Sequence, residues 1–135
     1  MRLQLTNDES ALGRLMVMLD EFAANANISE RAANQLRLCL DELVTNVISY
    51  GYPDSAKGHI QVDLEEGPDG VTVVLEDDGK PFNPFLEAQA PDLEAGVEER
   101  AVGGLGVYLV TATAKEYGYR RENGRNVVNL KLPAR

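Results

Sequence analysis

A hairpin written into the middle of the chain narrows the possible folds more than any other feature. The stretches His59 to Glu65 and Val71 to Glu76 read as two short strands, and Gly67-Pro68-Asp69-Gly70 between them has the residues of a tight turn. An antiparallel pair is therefore set locally, and any sheet must grow outward from it. Ahead of it, Arg2 to Thr6 alternates weakly and reads as a first strand. Asn7 or Asp8 can cap a helix from about Glu9 to Ala26, whose Leu12, Leu15, Met16, Leu19, Phe22 and Ala23 follow the helical period. Ser29 can cap a second helix, from about Glu30 to Ser49, which Gly51 and Pro53 end. Beyond the hairpin, Pro81 to Val102 is irregular, rich in prolines, acids and small residues. Connections of that length in a small domain are usually functional lids or mobile loops. Leu105 to Lys115 reads as a helix, and Tyr117 to Arg121 and Asn126 to Leu132 as a last hairpin around Asn123-Gly124. The order β-α-α-β-β-lid-α-β-β predicts one mixed or antiparallel sheet covered on one face by helices.

The 135 residues suit a single domain, residues 1–135, with ample Leu, Val, Ile and Met for a core. A formal charge of -9 argues against a nucleic-acid surface, which needs clustered Lys and Arg. Arg120, Arg121, Arg125, Lys131 and Arg135 are the local exception. The single cysteine, Cys39, permits neither an intrachain disulfide nor a zinc cluster and reads as a core thiol. His59, the only histidine, reads as structural or solvent-facing. There is no signal-peptide pattern and no apolar run able to span a bilayer, so no membrane role and a cytoplasmic location are expected.

Three short motifs carry chemistry. In the second helix, Leu36, Leu40, Leu43 and Val47 form an apolar stripe about 100 to 160 degrees around from Glu42, while Asn46 lies only about 40 degrees away, one turn on. Glu42 and Asn46 thus project together from the shoulder of the buried face. A carboxamide oxygen is a hard ligand suited to Mg2+, and a neighbouring carboxylate can orient or deprotonate an attacking hydroxyl. Asp41 points to the opposite side. Asp77, at the end of the strand Val71 to Glu76, can accept a hydrogen bond from the exocyclic amine of a purine, and Gly79 lets the backbone approach the base. Asp78 is expected to be exposed. Gly103-Gly104-Leu105-Gly106, at a helix start, can present backbone N–H groups to phosphate oxygens. Taken singly, each has a bland counterpart: a solvated Glu with a locally bonded Asn, a polar turn, a flexible hinge. Their order and settings together point to an ATP site.

Leu38 to Val47 with Tyr50-Gly51-Tyr52, Val74 to Asn83, and Gly103 to Val110 resemble the GHKL, or Bergerat, ATP-binding fold shared by gyrase, Hsp90, histidine kinases and MutL. They are most similar to small bacterial anti-sigma factors that are also serine-protein kinases, and Tyr119 to Val127 also looks like that subgroup. The resemblance implies an α/β two-layer sandwich, with helices packed on one face of a mixed, mostly antiparallel sheet and an ATP lid at about 81–103. It implies Glu42 as general base, Asn46 as magnesium ligand, Asp77 as adenine-binding aspartate with its companion Gly79, and Gly103, Gly104, Leu105 and Gly106 on the phosphate side. The cofactors implied are ATP and Mg2+. The partners implied are an anti-sigma-factor antagonist protein, phosphorylated on serine, and a sigma factor. A homodimer is expected from the resemblance and from the apolar character of the first two helices. The acidic stretch 81–102 matches no lid sequence of that subgroup.

No histidine-bearing helix pair precedes the site and no transducer domain follows it, so a complete histidine kinase or a gyrase-like enzyme is not expected. Three readings are compatible with the sequence: a kinase regulating a sigma factor, a catalytically weak nucleotide-binding partner switch, and a structural helix-sheet protein without nucleotide.

Overall fold

The computed structural model describes residues 1–53, 56–87 and 104–135. In chain order these form β1 (Arg2–Thr6), α1 (Ala11–Asn25), α2 (Glu30–Tyr50), β2 (His59–Gly67), β3 (Gly70–Asp77), α3 (Pro84–Glu87), α4 (Gly104–Thr113), β4 (Glu116–Glu122) and β5 (Arg125–Leu132). The strands make one five-stranded sheet in the order β1-β2-β3-β5-β4, and every pairing is antiparallel. The expected mostly antiparallel sheet is thus antiparallel throughout the described residues. Most of the expected lid, residues 88–103, and Gly103 with it, lie outside the described residues.

Both hairpins form where their turn residues place them. β2 and β3 pair Gly67 with Gly70, leaving Pro68 and Asp69 as a two-residue turn. Gly70 has φ +134°, and a Cβ there would sit 2.1 Å from the Leu132 carbonyl oxygen, so neither backbone nor space admits a side chain. In the β4–β5 turn Asn123 and Gly124 both have positive φ, 51° and 76°, as a two-residue turn matched to strand twist requires.

Beyond a first row of Val71 and Leu132, three successive rows cross neighbouring strands on the sheet's inner face. Leu64, Val73 and Leu130 form one row, and Leu3, Val62, Leu75 and Val128 the next. The third begins apolar, with Leu5 and Ile60, and turns polar at Asp77, Asn126 and Arg121. Leu15, Leu19 and Phe22 of α1 and Leu36, Leu40, Leu43 and Val47 of α2 join the apolar part of this face in one buried cluster. Each of the fully buried leucines contributes on the order of 2–5 kcal/mol as judged by truncation to alanine. Cys39 lies in the same cluster, and burial pushes its thiol up to about 11, as a core thiol requires.

The start of α1 corrects the expected cap. The helix begins at Ala11, not Glu9, and Ser10 holds the capping position without a side-chain bond to the helix. Asp8 instead braces the turn before it, accepting from the Ser10 amide at 3.0 Å and the Ser10 hydroxyl at 2.6 Å. Asn7 is spent elsewhere: its Oδ1 accepts from Gly58 N and its Nδ2 donates to Ala56 O, both at 2.8 Å. At α2 the expected cap is present, with the Ser29 hydroxyl accepting from Ala32 N at 3.1 Å.

Gly70→Ala should cost about 2 kcal/mol or more, because it adds both backbone strain and a clash with Leu132. Urea unfolding at neutral pH measures it; an unchanged midpoint would contradict the packing described.

Candidate functional site

Helix α2 supplies the spine of the site. Asn46 is buried, 4 % exposed, and its Nδ2 donates to Glu42 Oε1 at 3.3 Å. The two side chains are thus brought together as their one-turn spacing predicts. Asp41 is exposed. Burial pushes the Glu42 carboxyl above its ordinary value, the Asn46 bond pulls it partly back, and the nearby Asp41 charge raises it again. The first turn of α4 lies directly on this carboxylate. A Cβ on Gly106 would meet Glu42 Cδ at 2.1 Å and Oε2 at 2.3 Å. Glycine at 106 is therefore what allows the backbone of α4 to approach Glu42. Gly104 and Leu105 belong to the same first turn.

At the other end of α2 stands the Asp77 turn. Asp77 is in phase with Val71, Val73 and Leu75 on the inner face of β3 and is 4 % exposed. Its Oδ1 accepts from Gly79 N at 2.9 Å and from Asn126 Nδ2 at 2.9 Å. Burial raises this carboxyl above its ordinary value; the Asn126 and Gly79 bonds and the Arg121 charge oppose the rise. Gly79 is pressed against the last residue of the helix cap: a Cβ there would lie 2.6 Å from Gly51 O, to which Lys80 N also donates at 2.9 Å. The turn is thereby fastened to the C-terminal end of α2. Along the helix axis Asn46 is about 7.5 Å and Glu42 about 13.5 Å from Gly51. A carboxylate-amide pair under a helix start and a buried carboxylate on a glycine turn are thus separated along one straight element by the length scale of a nucleotide.

The residues fit magnesium and ATP in kind. Among the described residues no group of three or more His, Cys, Asp or Glu could hold a metal on its own. Magnesium does not need such a cage, since it is commonly held by one or two protein oxygens together with phosphates and water. At Gly79 and Gly106 the bare backbone comes up against Asp77 and Glu42 respectively, and a Cβ at either position would collide with atoms already there.

Sequence reasoning overlooked Asn126. It is 2 % exposed and joins the Asp77 turn to β5. The signal was available: Asn126 lies in phase with Val128, Leu130 and Leu132, so the strand period puts it on the core face. Arg121, noted only as part of a basic tail, donates to Gly79 O at 2.8 Å. Asp78 is exposed as expected, and its carboxylate accepts from His59 N and the Tyr52 hydroxyl, both at 2.8 Å. His59 itself faces solvent, its side chain 77 % exposed, with Nδ1 3.1 Å from Asp78.

Comparison with known proteins gives the family and the fold. The sequence matches the model of a family described as histidine kinase-like ATPase domain over residues 5–132. It is 26% identical over 112 residues to the serine/threonine-protein kinase BtrW of Bordetella bronchiseptica, covering 83% of this chain and 78% of that protein. It is 28% identical over 126 residues to the serine-protein kinase RsbW of Listeria innocua, covering 90% and 78%. In structure it is similar to the histidine kinase domain of a blue-light activated histidine kinase from Erythrobacter litoralis, with TM-score 0.57 and 22% identity over 93% of this chain. The longer chain of that kinase gives a TM-score of 0.60 at 20% identity. This chain spans 60% of the first of those structures and 41% of the second, and the likeness is one of fold.

Asp77→Asn should stabilise the protein in the absence of nucleotide. Because burial raises the folded Asp77 value, its ionisation opposes folding. That opposition is absent below the unfolded value, about 3.9, and complete once pH has risen through the folded value. Asparagine retains an oxygen for Gly79 N and Asn126 Nδ2 but cannot ionise. The expected result is a rise in thermal midpoint at pH 7.5 that shrinks away toward pH 4. A variant less stable than the parent at pH 7.5 would refute the cost assigned to Asp77.

Proposed function

This chain belongs to the histidine kinase-like ATPase domain family, and from that membership we propose that it is an ATP-dependent serine-protein kinase acting as an anti-sigma factor. In this reading it phosphorylates a small antagonist protein on serine and sequesters a sigma factor, working in the cytoplasm as a homodimer without touching nucleic acid or membrane directly. The observation that carries the proposal is the arrangement along α2. Glu42 and Asn46 meet one turn apart beneath Gly106, and Asp77 is fastened to the same helix by Gly79 and Lys80. Two relatives, one named a serine/threonine-protein kinase and one a serine-protein kinase, each covered over 78% of its length, support the kinase half of the reading.

Each residue has a role in that chemistry. Asp77 accepts the adenine amine, and Gly79 keeps the backbone close enough for the ring to lie against it. The N–H groups of Gly104, Leu105 and Gly106, with Gly103 before them, face the phosphates at the positive end of α4. Glu42 accepts the proton of the seryl hydroxyl as the terminal phosphoryl group is transferred. Its partly buried carboxylate is a stronger base than a solvated one, while the Asn46 N–H draws that rise partly back and holds Oε1 in place. The carbonyl oxygen of Asn46 would hold magnesium, which when bound neutralises phosphate charge and orients the terminal phosphoryl group.

The test is label transfer from γ-labelled ATP to candidate antagonist proteins. Glu42→Gln should lower transfer by about 100-fold or more while leaving ATP affinity within about threefold, since general-base assistance is typically worth 10²–10⁴. Asp77→Asn should weaken ATP binding by about tenfold, because half of the asparagine head is a donor facing a donor amine. Tight ATP binding with no transfer to any antagonist would instead identify a partner switch without chemistry. Absence of ATP binding would refute both.

A further inference from the structure

We propose that Asn126 is a positioning residue that holds Asp77 and the segment Lys80 to Phe82 in one arrangement, so that recognition of the base and the path of the chain leaving β3 are set together. The proposal rests on the reading of Asp77 as adenine anchor and adds a residue, and a coupling, to that site.

Both polar atoms of the Asn126 amide are committed. Nδ2 donates to Asp77 Oδ1 at 2.9 Å and to Lys80 O at 2.8 Å. Oδ1 accepts from Phe82 N at 3.1 Å, from the Tyr119 hydroxyl at 2.6 Å and from an Arg121 guanidinium N–H at 3.2 Å. This partner set fixes which way the amide points: turned over, its nitrogen would face three donors and its oxygen two acceptors. Three strands or segments therefore converge on one side chain that is 2 % exposed. Asp77 and Asn126 are also direct partners across the β3–β5 ladder, so the contact is built into the strand register.

Two consequences follow for the site. The bonds from Gly79 N and Asn126 Nδ2 both fall on Oδ1 of Asp77, which makes Oδ2 the atom that a purine amine would take. And the amide that orients Asp77 also grips the chain at Lys80 and Phe82, so a shift at either end is felt at the other. The charged and titratable groups facing this amide are Asp77 on β3, with Asp78 beyond it, and Tyr119 and Arg121 on β4. Serine or threonine at 126 would lack the second donor, and aspartate would lack both.

Two variants separate the two jobs. Asn126→Ala removes all five bonds. Asn126→Asp keeps an oxygen for Phe82 N, Tyr119 and Arg121 but turns a second carboxylate oxygen toward Asp77 and the Lys80 carbonyl. Calorimetric titration with ATP and magnesium, together with amide hydrogen exchange at Phe82, reads both. Asn126→Ala should lose about tenfold or more in ATP affinity, the size of one charge-assisted bond, and its Phe82 amide should exchange faster even without nucleotide. Asn126→Asp should lose comparable affinity at pH 8 and regain much of it, relative to the parent, by pH 5.5, where the paired carboxylates share a proton; its Phe82 amide should stay protected. In the parent, ATP should slow exchange at Phe82.

Parent-like affinity with a flat pH profile in Asn126→Asp would overturn the positioning role. Unaltered Phe82 exchange on adding ATP to the parent would overturn the coupling, and that measurement needs no variant to fold. If the parent binds no ATP, the reading of Asp77 falls. Faster Phe82 exchange in nucleotide-free Asn126→Ala would then still separate the anchoring of the segment from that failure.

Discussion

The buried bond between Asp77 and Asn126 is the constraint around which the site end of the molecule is arranged. Both side chains lie on the face of the sheet that packs against helices, directly opposite each other in register, at the point where the inner rows stop being apolar. Burying a carboxylate there works against folding, and it is tolerable only because neighbouring N–H donors and the Arg121 charge compensate. A polar row at the end of a core is a costly element to keep for architecture alone, since hydrocarbon side chains would fill the same row at less cost. Its presence therefore points to a ligand rather than to the fold.

Helix α2 then acts as a ruler. Its middle is buried in the core by Leu36, Leu40 and Leu43, which fixes its axis. Glu42 and Asn46 leave it at the shoulder of that stripe, and the carbonyl of its cap residue Gly51 accepts from Lys80 N of the Asp77 turn. The distance between the two polar ends is consequently set by helical rise rather than by loop conformation. Sites mounted on rigid elements hold their geometry better than sites carried by loops.

What could be read from sequence was what local chemistry dictates. The two hairpins, the Ser29 cap, the stripe on α2 and the adjacency of Glu42 and Asn46 each depend on residues within a few positions of one another, and the structure reproduces them. Aspects that depend on register or on distant packing were less accessible. Asn126 needed the strand phase to be followed across β5, and the grip of Arg121 on Gly79 needed the order of strands in the sheet. That Gly106 rests on Glu42 is a contact between helices far apart in sequence, and glycine content alone could have signified a hinge. The misplaced start of α1 has a similar origin: Asn7 had a good local use as a cap, but a non-local partner at Gly58 claimed it.

The strand order also has a consequence during synthesis. β3 has its hairpin partner β2 close by in sequence, yet its other side is completed by β5, whose Asn126 stands 49 residues beyond Asp77. Until those residues have emerged from the ribosome, β3 is an unsatisfied edge of valine and leucine, open to pairing with a neighbouring nascent chain. Helix α2 can cover the hydrocarbon face of that ribbon in the meantime but cannot supply its missing ladder. The Asp77–Asn126 contact therefore cannot close before β5 has been made.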